Sequence, residues 1–110
     1  MVGVARFDVI LVRLDPTVGS EIRKTRPCVV ISPNEMNQAL HTLVVAPMTT
    51  RGRPYSWRVP LTFADRAGRI ALDQMRTIDE QRIVRRLGEL QPISAQRLLE
   101  TIGEMFAPAP

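Results

Sequence analysis

Apolar residues in this chain fall in short, nearly unbroken runs separated by polar breaks rich in Pro and Gly. Residues 7–14 (FDVILVRL) are dense in Val, Ile and Leu and stop at Asp15-Pro16, which predicts a first strand. Residues 15–25 (DPTVGSEIRKT) read as a loop long enough to carry a function. A second strand is expected over 27–31 and a third over 42–48, with Pro47 suggesting an edge or a bulge near the end of the third. Between them, Ser32, Pro33 and Glu35 predict a capped short helix reaching about Leu40. After a basic loop at 49–56, residues 57–62 alternate as a half-buried strand does, and short strands are expected near 69–72, 75–78 and 86–90. Residues 79–84 suit one or two helical turns. At the end, Ser94 is expected to cap a helix whose Leu98, Leu99, Ile102, Met105 and Phe106 share one face, followed by a frayed tail at 107–110. Many short strands with a late helix predict one mainly β (α+β) domain over 1–110, a small, strongly bent β-barrel with attached helices.

Composition narrows the chemistry. The chain has 110 residues, enough for one core without covalent staples. A single Cys and a single His exclude an intrachain disulfide and a Cys/His zinc site within one chain. Cys28 lies inside an apolar run and is expected in the core, and His41 is expected at the surface. Residues 1–5 lack the layout of a signal peptide, and no run of about 18 apolar residues suggests a membrane span, so the expected location is the cytoplasm. No phosphate loop of the G-x-x-x-x-G-K-[ST] kind, nucleophile elbow or carboxylate cluster of metal spacing occurs, so neither a cofactor nor a metal is expected.

The net charge of +4 has an address. Residues 21–58 hold six basic and two acidic residues, whereas the remainder holds nine of each. The excess sits at 23–26 and 51–58, and a fold that joins these stretches makes a groove for a polyanion. Fourteen of the fifteen basic residues are Arg, whose planar fork matches phosphate, although solubility and genome composition also favour Arg. Arg, Thr, Ser and a few acids or amides suffice for one reaction in particular. RNA carries its own nucleophile in the 2′-hydroxyl, so cleavage needs an aligned phosphate, proton transfers and positive charge on the developing phosphorane. The composition permits this reading without establishing it.

The segments DPTVGSEIRKTRPCVVIS, VVAPMTT and DQMRTID, followed by an amphipathic helix, together resemble the MazF/PemK toxins of type II toxin–antitoxin pairs. The resemblance runs from about Phe7 to Phe106. It implies an SH3-like barrel of the CcdB/PemK type, a homodimer, and a metal-independent endoribonuclease that cuts single-stranded RNA at short sequences. The implied products carry a 2′,3′-cyclic phosphate and a 5′-hydroxyl, and the implied inhibitor is an acidic MazE-like antitoxin. Residue by residue, it makes Arg26 and Thr49 catalytic. It sets Gly19, Ser20, Glu21, Asp73 and Gln74 along the RNA, and Pro27, Thr50, Arg51 and Arg53 are added as candidate RNA contacts beside them. The chain departs from many relatives at Phe7-Asp8, where Gly-Asp is common, and at Ile22, where Gln is common.

Other readings stay open on the residues themselves. Arg26 can be a surface ion-pair partner and Thr49 a turn residue. Arg51, Arg53 and Arg58 can be a solvated face, and Glu21 can be a general base or a loop salt-bridge partner of Arg23 or Lys24. Tyr55 and Trp57 can stack on bases, or Trp57 can lie in the core or a dimer interface. Two other functions fit the same barrel: a CcdB-like gyrase poison that cuts nothing, and an RNA-binding barrel without catalysis.

Overall fold

In a computed structural model, which describes residues 3–110, the chain forms seven strands and two helices. The strands are β1 (Asp8–Arg13), β2 (Thr25–Val30), β3 (Thr42–Thr49), β4 (Arg58–Phe63), β5 (Arg66–Ala71), β6 (Arg76–Asp79) and β7 (Ile83–Glu89). The helices are α1 (Asn34–Ala39) and α2 (Pro92–Met105), and 3₁₀ turns at Leu72–Gln74 and Glu80–Arg82 bracket β6. All pairings are antiparallel, in the order β4-β5-β3-β2-β1-β7, with β6 pairing the earlier part of β3 on the same side as β5. The sheet curls until its outer strands meet. A Cβ on Gly88 of β7 would lie 3.1 Å from the Phe63 ring of β4, so the bare backbone is what lets that ring close the seam.

Two apolar clusters explain the unbroken runs in the sequence. Val9, Val29, Ala46, Ile70, Leu72 and Leu98 pack on the side covered by α2. Ile10, Val12, Cys28, Val30, Val45 and Ile78 pack on the other side. Strands β1, β2 and β3 are thus buried on both faces and carry no polar alternation. Burial pushes the Cys28 thiol up to about 12, against smaller opposing effects of Arg76 and Arg26, which leaves it an inert core residue. His41 stands exposed beside Glu80, 3.2 Å away.

Several boundaries differ from expectation for physical reasons. Ser32 does not cap α1. It is buried, its Oγ accepts the Val44 N–H at 3.0 Å, and it also bonds Asn37, while Pro33 holds the cap position without a side-chain bond. Helix α2 begins two residues before Ser94, with Pro92 in the first turn, where its missing N–H costs nothing. Pro47 does not mark an edge, because β3 is the most heavily paired strand. It falls between the last β6 pair, Val45↔Arg76, and the first β5 pair, Met48↔Ile70, at the one stretch where that side of β3 has no ladder to interrupt. Strand β5 starts at Arg66, earlier than expected, because β4 and β5 join through Ala64 and Asp65, both in the left-handed region at φ 50° and 62°. Such two-residue hairpins usually announce themselves by Asn-Gly or Asp-Gly.

Candidate nucleic-acid interface

Arg26 stands inside β2, at the second residue of the strand. The apolar stretch after it is anchored in both clusters, and Pro27 restrains the backbone between. Across the β2–β3 ladder, Cys28 faces Pro47, Val29 faces Ala46 and Val30 faces Val45. Carrying that register two residues further sets Arg26 opposite Thr49, and residues directly opposite share a face. Both are half-buried and both line one cavity of about 320 Å³, with Pro27, Thr50, Phe63, Arg66 and Leu87. The Arg26 Nε donates to the Arg23 carbonyl at 3.0 Å, which fixes the plane of the guanidinium and leaves its other nitrogens to the cavity. The Thr49 hydroxyl accepts the Arg51 N–H at 3.2 Å in a local turn. Gly68 of β5 completes this floor. A Cβ there would sit 2.9 Å from the Thr49 carbonyl oxygen, so only glycine lets β5 run this close to Thr49.

The other expected residues separate into three groups. Glu21, Asp73 and Gln74 line a second cavity of about 240 Å³, beside Pro47 and Arg76. There the Gln74 side-chain carbonyl accepts the Ile22 N–H at 3.1 Å, tying the 15–24 loop to the turn before β6. The Glu21 carboxylate accepts the Val18 N–H within the loop and forms no ion pair with Arg23 or Lys24 among the described residues. Asp73 is held from below by Arg58, with Nε to Oδ1 and Nη2 to Oδ2 both at 2.8 Å. This fork keeps the Asp73 carboxyl below the usual carboxylate range and raises Arg58 further. Gly19 and Ser20 are exposed at the loop tip, and Arg51 and Arg53 are exposed in the segment after β3, lining neither cavity. Trp57 is partly exposed and stacks on Tyr55 at 4.8 Å, with the Arg58 guanidinium 5.9 Å from the Tyr55 ring.

Arg66, Arg69, Arg76 and Arg97 face these cavities or a neighbouring one and were not singled out by the sequence. The signal for Arg66 and Arg69 is weak: two arginines bracketing Gly68 in a strand whose start is hidden by an Ala-Asp turn. No group of three His, Cys, Asp or Glu residues able to hold a metal ion occurs among the described residues. No described helix is long and apolar enough to cross a membrane.

The curled antiparallel half-barrel with a C-terminal helix is the fold of solved MazF toxins. Residues 5–106 match the family described as the PemK-like, MazF-like toxin of type II toxin–antitoxin system, and the chain belongs to that family. It is 38% identical over 71 residues to the endoribonuclease toxin MazF of Escherichia coli strain K12, spanning 64% of either protein. It is 37% identical over 79 residues to the endoribonuclease PemK of Escherichia coli, covering 67% of this chain and 59% of that protein. These matches thus span somewhat less than two-thirds of the relatives' lengths. Among solved structures, MazF from Deinococcus radiodurans superposes with a TM-score of 0.81 at 22% identity, over 93% of this chain and 94% of that one. An endoribonuclease from Mycobacterial species, solved in complex with its cognate antitoxin, superposes with a TM-score of 0.80 at 20% identity, over 97% of this chain and 99% of its own.

Proposed function

We propose that this protein is the toxin of a type II toxin–antitoxin pair and a metal-independent, sequence-specific endoribonuclease acting on single-stranded RNA. The observation that carries the reading is the meeting of Arg26 and Thr49 at one cavity in a member of this family. The scissile phosphate lies between them. The 2′-oxygen of the preceding ribose attacks phosphorus and loses its proton as the new P–O bond forms. The bond from phosphorus to the 5′-oxygen breaks, and that oxygen takes up a proton. The products are a 2′,3′-cyclic phosphate and a 5′-hydroxyl end, and no oxidant, metal or enzyme nucleophile enters the balance. Arg26 offsets the charge gathering on the non-bridging oxygens. A guanidinium is a donor with no acceptor, which suits it to charge stabilisation and not to general base duty. Thr49, whose hydroxyl donates to the Arg51 carbonyl at 3.3 Å in the free protein, turns that proton to one non-bridging oxygen while still accepting from the Arg51 N–H.

The 15–24 loop with Gln74 forms the wall along the bases, and Arg51, Arg53 and Arg66 follow the backbone. The same basic surface suits an acidic antitoxin segment, so inhibition works by occupying the RNA site. The working form is a homodimer in the cytoplasm. To test this, a long single-stranded RNA is incubated with the protein in EDTA and the fragment ends are mapped. Discrete cuts with 5′-hydroxyl ends, lost in Arg26→Ala and in Thr49→Ala, are expected. Intact RNA across varied substrates, or cuts that persist in Arg26→Ala, would overturn the reading.

A further inference from the structure

Next to the Arg26/Thr49 cavity lies a larger one of about 530 Å³. Its polar wall is made by Thr49, Thr50, Thr62, Arg69, Ser94 and Arg97, with no carboxylate in the lining. Two guanidiniums and four hydroxyls, drawn from β3, β4, β5 and α2, thus converge on one space. Neither arginine forms an ion pair among the described residues. Arginine forks and hydroxyl donors without a competing acid are the chemistry of a phosphate site.

The sheet ties this space to the first one. Thr49 is paired directly with Arg69 across the β3–β5 ladder, and the β2–β3 register sets Arg26 on its other side. Thr49 therefore stands between two arginines on neighbouring strands, whose Cα atoms are about 10 Å apart at the usual strand spacing. Thr49 and Thr50 line both cavities, so the two share a wall. A polymer held at Thr49 by one phosphate and continuing over that wall meets Arg69 and then Arg97.

We infer that the Arg69/Arg97 cavity is a second phosphate subsite, gripping the RNA backbone next to the scissile position. The inference rests on the ribonuclease reading and deepens it. An acidic peptide offers carboxylates to the same donors, but paired arginine forks and hydroxyls on either side of the shared Thr49 wall match the regular phosphate repeat of an RNA backbone better.

The test is a binding measurement that needs no cutting. A short 2′-O-methyl RNA, which lacks the nucleophile, is titrated with wild type, Arg69→Ala, Arg97→Ala and Arg97→Lys at several salt concentrations, with thermal unfolding as the check on folding. Each alanine variant is expected to bind about tenfold more weakly, the loss of one charged hydrogen-bonding group. The slope of log affinity against log salt should fall by about 0.7 per lost contact. Arg97→Lys should keep the slope while losing part of the affinity, and cutting should show a raised KM with kcat unchanged. Wild-type affinity and slope in both alanine variants would overturn the subsite, while cutting that still depends on Arg26 would leave the ribonuclease reading standing. Weakened binding of a poly-glutamate peptide with RNA binding untouched would also overturn it. Failure of the wild type to bind RNA at all would overturn both.

Discussion

Two loops flank the Arg26/Thr49 pair, one leading into β2 and one out of β3, and they are held in opposite ways. The 15–24 loop leads into Arg26 and is bonded to the rest of the fold at every corner. Its base is closed by Leu14 N–H to the Lys24 carbonyl at 2.9 Å and by Lys24 N–H to the Asp15 carboxylate at 3.1 Å. Arg82 binds the carbonyls of Arg13, Leu14 and Asp15, and Gln74 latches its far side through Ile22. Lys24 even holds a left-handed backbone, φ 71°, which non-glycine residues accept only where their surroundings fix them. The 50–57 segment leads out of Thr49 and bonds partly to itself, through Thr49 to Arg51 and Tyr55 to Arg53, and reaches other elements near its end, where Arg58 N–H meets the Tyr55 carbonyl at 3.0 Å and Leu72 N–H meets the Trp57 carbonyl at 3.4 Å. One wall is tied to several other elements, and the other bonds largely within itself. On the proposed reading, the tied wall selects bases and the other supplies charge.

The largest expected effect breaks the floor that both loops share. Gly68→Ala drives a Cβ against the Thr49 carbonyl, and a displacement approaching 1 Å at a reacting group costs about 10²-fold in kcat. Single-turnover kinetics measure it, and a wild-type rate would mean that Thr49's position is unimportant. Next, Gln74→Ala removes the latch. Loss of this hydrogen bond, about 1 kcal/mol, predicts a several-fold fall in kcat/KM together with a broadened set of cleavage sites on a long RNA. Arg51→Ala on the other wall predicts a smaller loss, an unchanged site preference and a salt slope lower by about 0.7. If the two variants exchange these signatures, the division of labour between the walls is wrong.

A smaller effect concerns the Arg58–Asp73 fork beneath the latch. Asp73 titrates below its ordinary range when folded, so the fork stabilises the fold above about pH 4, the unfolded carboxyl value, and is lost as pH falls through the lower folded value. Asp73→Asn should flatten acid denaturation over that window by less than about 1 kcal/mol, because the pair is partly exposed. An unchanged acid limb would remove the fork from the account. The smallest perturbation is a probe of the walls themselves. Limited trypsin treatment should cut after Arg51 well before Arg23 or Lys24, and the reverse order would contradict the comparison.

The parts legible in the sequence are those with local causes. The runs in β1, β2 and β3 are apolar because both faces are buried, and Leu98, Ile102 and Met105 of α2 pack as helical spacing predicts, whereas Leu99 and Phe106 of the expected face stay exposed. Arg26 and Thr49, singled out by motif, fall near the start of β2 and at the end of β3. What stayed hidden depends on distant contacts. Ser32 looks like a helix cap until the Val44 N–H of β3 claims its hydroxyl. Asp73 reads as a free groove acid until the fold delivers Arg58 to it. Arg69 acquires meaning only when the β3–β5 ladder sets it against Thr49, and Arg97 only when α2 folds over β4.

The most direct test of the central claim is a double-mutant cycle on RNA cleavage, with Arg26→Ala, Thr49→Ala and the double variant compared in EDTA. If both groups act on one phosphate, each single variant loses about 10²-fold or more, and the double variant falls little below the worse single one. Losses that multiply would mean that the two residues act independently, and retained cutting in Arg26→Ala would contradict the account outright.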